Sequence, residues 1–398
     1  MATTLDSIST YNASAPRSAA IDIVAASAWH AYTAVFAASC VIVGVYWDIS
    51  WHMSIGRDTF WTPAHLVIQA GGLIAGLSSG YVALRTTFRG TDAEKHAAVS
   101  FWGFRAPLGA WILIWGCGAM LTSAPFDNWW HNAYGLDVKI ISPPHAVLAI
   151  GIFAIVTGAL LLTLAQQNGA DGRRRKRLAW MLAAVGGMFI MNYALFLTEY
   201  SERHMMHSAF FYQLVSLAFP FGLASMGRAI KLRWAATSAA AFFTAIMLVL
   251  MWTIEQFPAT PKLGPIYQDI THMVTLSFPL LVIAPAFCFD LVLHRFDGRV
   301  SLAALSLMLG VVFVISFFAV QWPFASFLMS PAARNKLFNA NNFVYWMPPS
   351  YGTIEGRFDP PAPGAWPFPV QLLIAVALAT VSSALGLGRG AWMRRVRR

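Results

Sequence analysis

Residues 145–167 read HAVLAIGIFAIVTGALLLTLAQQ, a stretch without a single Asp, Glu, Lys or Arg. As a helix it would be about 34 Å long at 1.5 Å per residue, enough to cross a hydrocarbon core of roughly 30 Å. A lipid-facing backbone must pair its polar groups internally, and runs of this length do so as helices rather than as barrel strands. Similar runs recur along the 398 residues, at 26–47, 64–84, 107–125, 178–199, 208–226, 235–255, 270–293, 300–322 and 368–387. The reading is therefore an all-α, polytopic membrane bundle of about ten transmembrane helices built from helical hairpins. Composition agrees: 58% of residues are hydrophobic and 11% charged, against about a quarter charged in soluble chains.

The charged residues are unevenly placed. Basic residues crowd alternate loops: Arg85, Arg89, Lys95 and Arg105, then Arg173 to Arg177, then Arg228, Lys231 and Arg233, then Arg295 and Arg299, and at the end Arg389, Arg394, Arg395, Arg397 and Arg398. The positive-inside rule puts these in the cytoplasm, with both termini. This bias accounts for the net charge of +10, so no nucleic-acid partner is implied. The expected location is the cell membrane, multi-pass, with the lipid bilayer as first partner. Residues 1–25 form a polar cytoplasmic tail without the pattern of a signal peptide. Residues 26–167 form a four-helix unit, 168–323 further helices, 324–367 a long extracytoplasmic loop, and 368–398 a last helix with a basic tail. Cys40, Cys117 and Cys288 lie singly in apolar runs and suggest no disulfide.

At the expected extracytoplasmic ends of the first hairpins, one pattern is written twice. Residues 48–65 contain Asp48, Trp51, His52, Gly56, Asp58, Thr62, Pro63 and His65. Residues 127–145 contain Asp127, Trp130, His131, Gly135, Asp137, Ser142, Pro143 and His145. The shared form is D-x2-W-H-x3-G-x-D, a short spacer, then [S/T]-P-x-H. Asp and His four apart share a helix face. Thr62 and Ser142 suit a helix N-cap, with proline at the first helical position. His65 and His145 then fall at equivalent third positions, and each trio can converge on one point.

A carboxylate with two imidazoles suits copper, iron or zinc and leaves coordination positions open. Two other readings stand beside metal binding: a metal-free Asp/His proton relay, and a capping network that fixes the loop. Arg57 is expected to pair with Asp58 in preference to Asp58 acting as a ligand. Glu199, Glu202, His204 and His207, and also Asp269 with His272, are fainter echoes, for which solvated helix ends are the plainer reading. His30 reads as a packed residue, and His96 and His294 as solvated ones.

The two copies resemble motifs of one membrane subunit, the third, of the copper membrane monooxygenases, which are the particulate methane and ammonia monooxygenases. WDISWHMSIGRDTFWTPAHL is similar to that subunit's D-x3-H-x12-H motif, and DNWWHNAYGLDVKIISPPH to its N-x3-H-x13-H motif, with Asp127 standing where the family has Asn. The resemblance covers about residues 30–165. It implies copper at Asp48, His52 and His65, and again at Asp127, His131 and His145. It also implies oxygen-dependent oxidation of a small substrate beside other membrane subunits. A multi-pass transporter or metal-handling permease and a non-catalytic membrane scaffold are the competing classes.

Overall fold

The computed structural model describes residues 28–135, 142–341, 343–348, 356–361 and 363–397. The tail 1–25 and Asp137 lie outside the described residues. The chain is a bundle of α1 (Ala28–Ser54), α2 (Pro63–Arg89), a short α3 (Asp92–Ala97), α4 (Leu108–Tyr134), α5 (Pro143–Gly169), α6 (Gly172–Phe196), α7 (Ala209–Ala229), α8 (Ala235–Ile254), α9 (Ile283–Phe296), α10 (Leu302–Leu328) and α11 (Phe368–Met393). Among the described residues, nine of these are long and apolar enough to span a membrane. The protein is thus a multi-helix membrane protein. The strand content described is one hairpin, Val99–Phe101 paired with Phe104–Ala106.

The expected span at 270–293 is corrected. Helix there is confined to Ile283–Phe296, about 21 Å and too short to cross alone. Met273, Val274, Thr275, Leu280 and Val282 before it are non-helical yet buried. Pro279 and Pro285 favour a break here, although Pro125, Pro220 and Pro323 lie inside continuous helices elsewhere in the chain. An interior proline removes a backbone donor and clashes with the preceding turn, whereas one in the first turn loses nothing. Starting the helix at Ile283 puts Pro285 in that first turn. The extended backbone finds partners elsewhere: Val274 N–H donates to Ser54 Oγ at 2.7 Å, and Leu281 N–H to Gln321 Oε1 at 3.0 Å. Irregular backbone survives in a membrane protein when protein covers it in this way.

Small residues set the helix spacing. A Cβ on Gly158 of α5 would fall 2.8 Å from the Gly109 carbonyl of α4, and one on Gly109 would fall 2.8 Å from the Gly158 carbonyl. Gly116 and Gly151 repeat this relation two turns along, at 3.1 and 3.0 Å. Membrane helices lack a hydrophobic drive toward each other and associate by such close packing. Two ionisable groups inside the bundle have well-defined partners. Buried Asp290 of α9 accepts the N–H groups of Ala236 and Thr237 at 3.1 and 2.9 Å, capping the start of α8. Arg228 of α7 grips Asp297 with two nitrogens, and Arg394 reaches the same carboxylate at 3.3 Å.

Candidate metal centre

The first copy of the repeated pattern folds into one cluster. The expected i, i+4 relation holds, because α1 continues as far as Ser54 and carries Asp48 and His52 on its last two turns. Gly56 then turns the chain with φ of 80°, a conformation that favours glycine. Trp51 Nε1 donates to the Arg57 carbonyl at 3.1 Å and shapes the loop. Pro63 opens α2 with Thr62 at the N-cap, and His65 is its third residue. The Thr62 hydroxyl departs from expectation. It accepts the Thr59 N–H at 2.9 Å inside the loop and makes no side-chain cap to the helix.

Ligand atoms of Asp48, His52 and His65 all lie within 4.8 Å of one another. Asp48 Oδ1 is 3.0 Å from His65 Nε2, and Asp48 Oδ2 is 3.9 Å from His52 Nε2. Asp58 joins them, its Oδ2 lying 3.4 Å from His65 Nε2 and 3.6 Å from His52 Nε2. The expected Arg57–Asp58 pair is corrected: no such ion pair occurs among the described residues, because the loop turns Asp58 toward the imidazoles. Asp58 therefore becomes a fourth candidate ligand.

The proton on His65 can be located. Its Nδ1 lies 2.9 Å from the Thr59 carbonyl. A carbonyl only accepts, so Nδ1 carries a hydrogen, and Nε2 faces Asp48 as a lone pair in the neutral ring or as a second N–H in the imidazolium. Asp48 Oδ1 is buried and has no aligned hydrogen-bond donor, even with Nε2 at 3.0 Å. A neutral ring so placed would need a cation between its lone pair and the carboxylate, whereas a protonated ring would pair with Asp48 directly; histidine ligands are commonly oriented by such a backbone acceptor.

In the second copy the imidazole held by a backbone carbonyl is the one at the helix end. His131 Nδ1 faces the Gly135 carbonyl at 3.1 Å, and His131 Nε2 lies 3.4 Å from Asp127 Oδ2. Across the hairpin, His145 Nε2 lies 3.5 Å from Asp127 Oδ1, which is likewise buried without an aligned donor. Here Ser142 does cap its helix, accepting from His145 N–H at 3.4 Å. All six expected residues are thus drawn into two trios. Among the described residues, the first is the trio whose donors all fall within 4.8 Å.

Residues from the distant part of the chain brace the first centre. Lys262 N–H donates to the Ile55 carbonyl at 2.9 Å, and Ser54 Oγ holds Val274 as described. Tyr345 lies so closely against Gly56 that a Cβ there would collide with its Oη. Burial pushes the Tyr345 phenol above its ordinary range, which favours the neutral form. Gly135, the counterpart of Gly56, has φ of 88°, but a Cβ added to it would meet nothing within 4 Å. We expect Gly56→Ala to weaken metal binding at the first centre by about tenfold, and Gly135→Ala to weaken the second centre less. Metal titration of each variant measures this. Equal effects would mean that backbone conformation, not the Tyr345 contact, is what matters.

The fainter clusters do not make a third centre among the described residues. His204 lies between two carboxylates, with Nδ1 3.5 Å from Glu202 and Nε2 3.7 Å from Asp359. Its two nitrogens face different partners, which ties a loop down rather than chelating. His207 is stacked between Trp322 and Phe358, with centroids at 3.7 and 3.5 Å. Burial lowers its pKa, with the Trp322 carbonyl opposing. His272 Nδ1 lies 2.9 Å from Thr271 Oγ1, away from any described carboxylate cluster. No protein-family model, curated protein or solved structure matches the chain.

Proposed function

We propose that this chain is an integral membrane copper protein that takes part in oxygen-dependent oxidation of a small substrate. The observation that carries the metal reading is the doubled Asp/His/His trio, in which the Nε2 atoms of both histidines of each copy converge on one carboxylate and one histidine of each copy is held by a backbone carbonyl. A proton relay would use the same Asp48–His65 contact at 3.0 Å; the metal reading is preferred because three donors, with Asp58 beside them, converge on one point. Asp48, His52 and His65, with Asp58 beside them, would hold one ion, and Asp127, His131 and His145 the other. The choice of copper over zinc or iron rests on the resemblance to the third subunit of the particulate methane and ammonia monooxygenases. So do the pairing with other membrane subunits and the oxidation itself. When bound, copper would supply redox activation of dioxygen. The protein's share is to orient the imidazoles, to neutralise the ion with carboxylates and to leave coordination positions open. Side-chain exposures of 47% for His52 and 37% for His145 are consistent with such openness. The basic loops support cytoplasmic termini and extracytoplasmic centres.

Mass-spectrometric metal analysis with EPR on purified protein tests this reading. About two copper ions per chain and a cupric signal are the expected result. Zinc alone, or no metal after reconstitution, would overturn it. A metal-handling permease is the second reading, favoured by the interrupted segment at 273–282, since transporters often place ion sites at broken helices. Metal uptake into proteoliposomes would select it.

A further inference from the structure

We propose that the end of the bundle opposite the two trios holds the phosphate headgroup of an anionic phospholipid, among Arg175, Lys231, Arg394 and Arg397. The proposal goes beyond the oxidation reading and does not depend on it. The place is the far end of α5, where Asn168 lies about 35 Å along the helix from His145.

Two neighbouring amides at the end of α5 gather cations from three segments. Buried Gln167 donates to the Ala229 carbonyl at 3.0 Å and accepts the Lys231 N–H at 2.9 Å, which fixes the turn between α7 and α8. Asn168 donates to the carbonyls of Met393 and Val396 at 3.0 and 2.8 Å, which fixes the end of α11 and the tail beyond it. Arg394 Nε donates to the Arg228 carbonyl at 2.7 Å and joins tail to turn. Arg175, in the first turn of α6, donates to the Ala170 carbonyl at 2.9 Å. Contacts to the backbone therefore bring these cations together, rather than a shared carboxylate.

The charge gathered here is not balanced within the described residues. Asp171 pairs with Arg175, and Asp297 is shared by Arg394 and Arg228. Lys231 and Arg397 make no described ion pair. Burial lowers the Lys231 pKa, and the positive charges of Arg394, Arg175 and Arg397 lower it further. The basic loop after α2 differs, because there Arg85 meets Glu94 at 3.0 Å. The first turn of α6 adds Arg173 and Arg174 and has no acidic residue, at the helix end where the dipole is positive. A phosphate would offset both kinds of repulsion, and basic pockets at the ends of membrane helices take such headgroups. A lipid is favoured over a soluble anion by α11. Val381, Leu385 and Trp392 are exposed, and helical spacing sets them on one face. That apolar strip ends beside Arg394 and suits an acyl chain.

Lipid titration of the full chain in detergent, read by native mass spectrometry, tests the proposal. The probes are phosphatidylglycerol, phosphatidylcholine and inorganic phosphate. Phosphatidylglycerol should bind more tightly than phosphatidylcholine. Lys231→Gln combined with Arg397→Gln should weaken phosphatidylglycerol binding about thirtyfold, at about 1 kcal/mol for each cation removed. Lys231→Gln keeps the backbone contact to Gln167, so the fold should stand. Arg89→Gln combined with Lys95→Gln makes the same charge change in another basic loop and should have little effect. Equal weakening by the two pairs would overturn the proposal and assign the binding to diffuse surface charge. So would equal affinity for the two lipids. Release of bound phosphatidylglycerol by millimolar inorganic phosphate would overturn it in favour of a soluble anion.

Discussion

Asp48→Ala is expected to remove one of two bound metal ions per chain and to leave the other in place. Asp48 is the residue that joins the first trio, with one oxygen toward His65 and the other toward His52. Without it the imidazoles keep their positions on α1 and α2 but lose the anion that neutralises the ion between them. Changes one layer out from a metal already cost 10- to 100-fold in affinity, so loss of a ligand should cost at least about 100-fold. The same substitution takes away the carboxylate 3.0 Å from His65 Nε2, so a fall in the metal-free Tm alone does not distinguish a ligand from a structural partner. Metal therefore becomes the discriminating readout. Added metal should raise the Tm of the unaltered chain by mass action and should raise that of Asp48→Ala less. Asp48→Ala combined with Asp127→Ala should bind none. An unchanged metal-to-protein ratio in the double variant would sink the two-centre reading.

Gly158→Leu should destabilise the bundle by about 3 kcal/mol and abolish the second centre selectively. The first atom added at Gly158 would lie 2.6 Å from Leu113 Cγ and 2.8 Å from the Gly109 carbonyl. Neither can yield cheaply, since one is buried core and the other is backbone. Overpacking of this kind typically costs about 1–3 kcal/mol, and a leucine against a facing backbone belongs at the upper end. Forcing α4 and α5 apart also separates Asp127 and His131 on one helix from His145 on the other. The first centre, built on α1 and α2, should keep its metal. Gly118→Leu is the control, because nothing lies within 4 Å of its added Cβ. Metal counting and thermal unfolding in detergent measure both effects. Loss of both centres in Gly158→Leu would mean that they are not independent.

Much of the architecture was legible from apolar run length, because a membrane helix needs about 20 apolar residues and little else in water-soluble folds demands so many. The same criterion misjudged 270–293. That stretch is apolar for long enough, but Pro279 and Pro285 would each weaken a continuous helix, and Ser54 and Gln321 supply the partners that the non-helical backbone needs. The trios were legible because helix periodicity and the proline-marked helix start are local rules. Asp58 was misread as an Arg57 partner because its direction depends on the turn at Gly56 and on the Trp51–Arg57 bond.

By itself the sequence determined that the chain lies in a membrane, that nine of its expected spans are helical, and that Asp and His recur on matching helix faces. Those properties follow from hydrophobicity and from 3.6-residue periodicity, which act over a few turns. Only the tertiary structure decided that Asp58 enters the first cluster, that Tyr345 and the 258–275 segment brace it, and that Gln167 and Asn168 gather cations from three segments. Such features depend on which helices meet and how closely. That is set by the glycine contacts and by backbone groups seeking partners across the bundle, between residues that no local spacing connects.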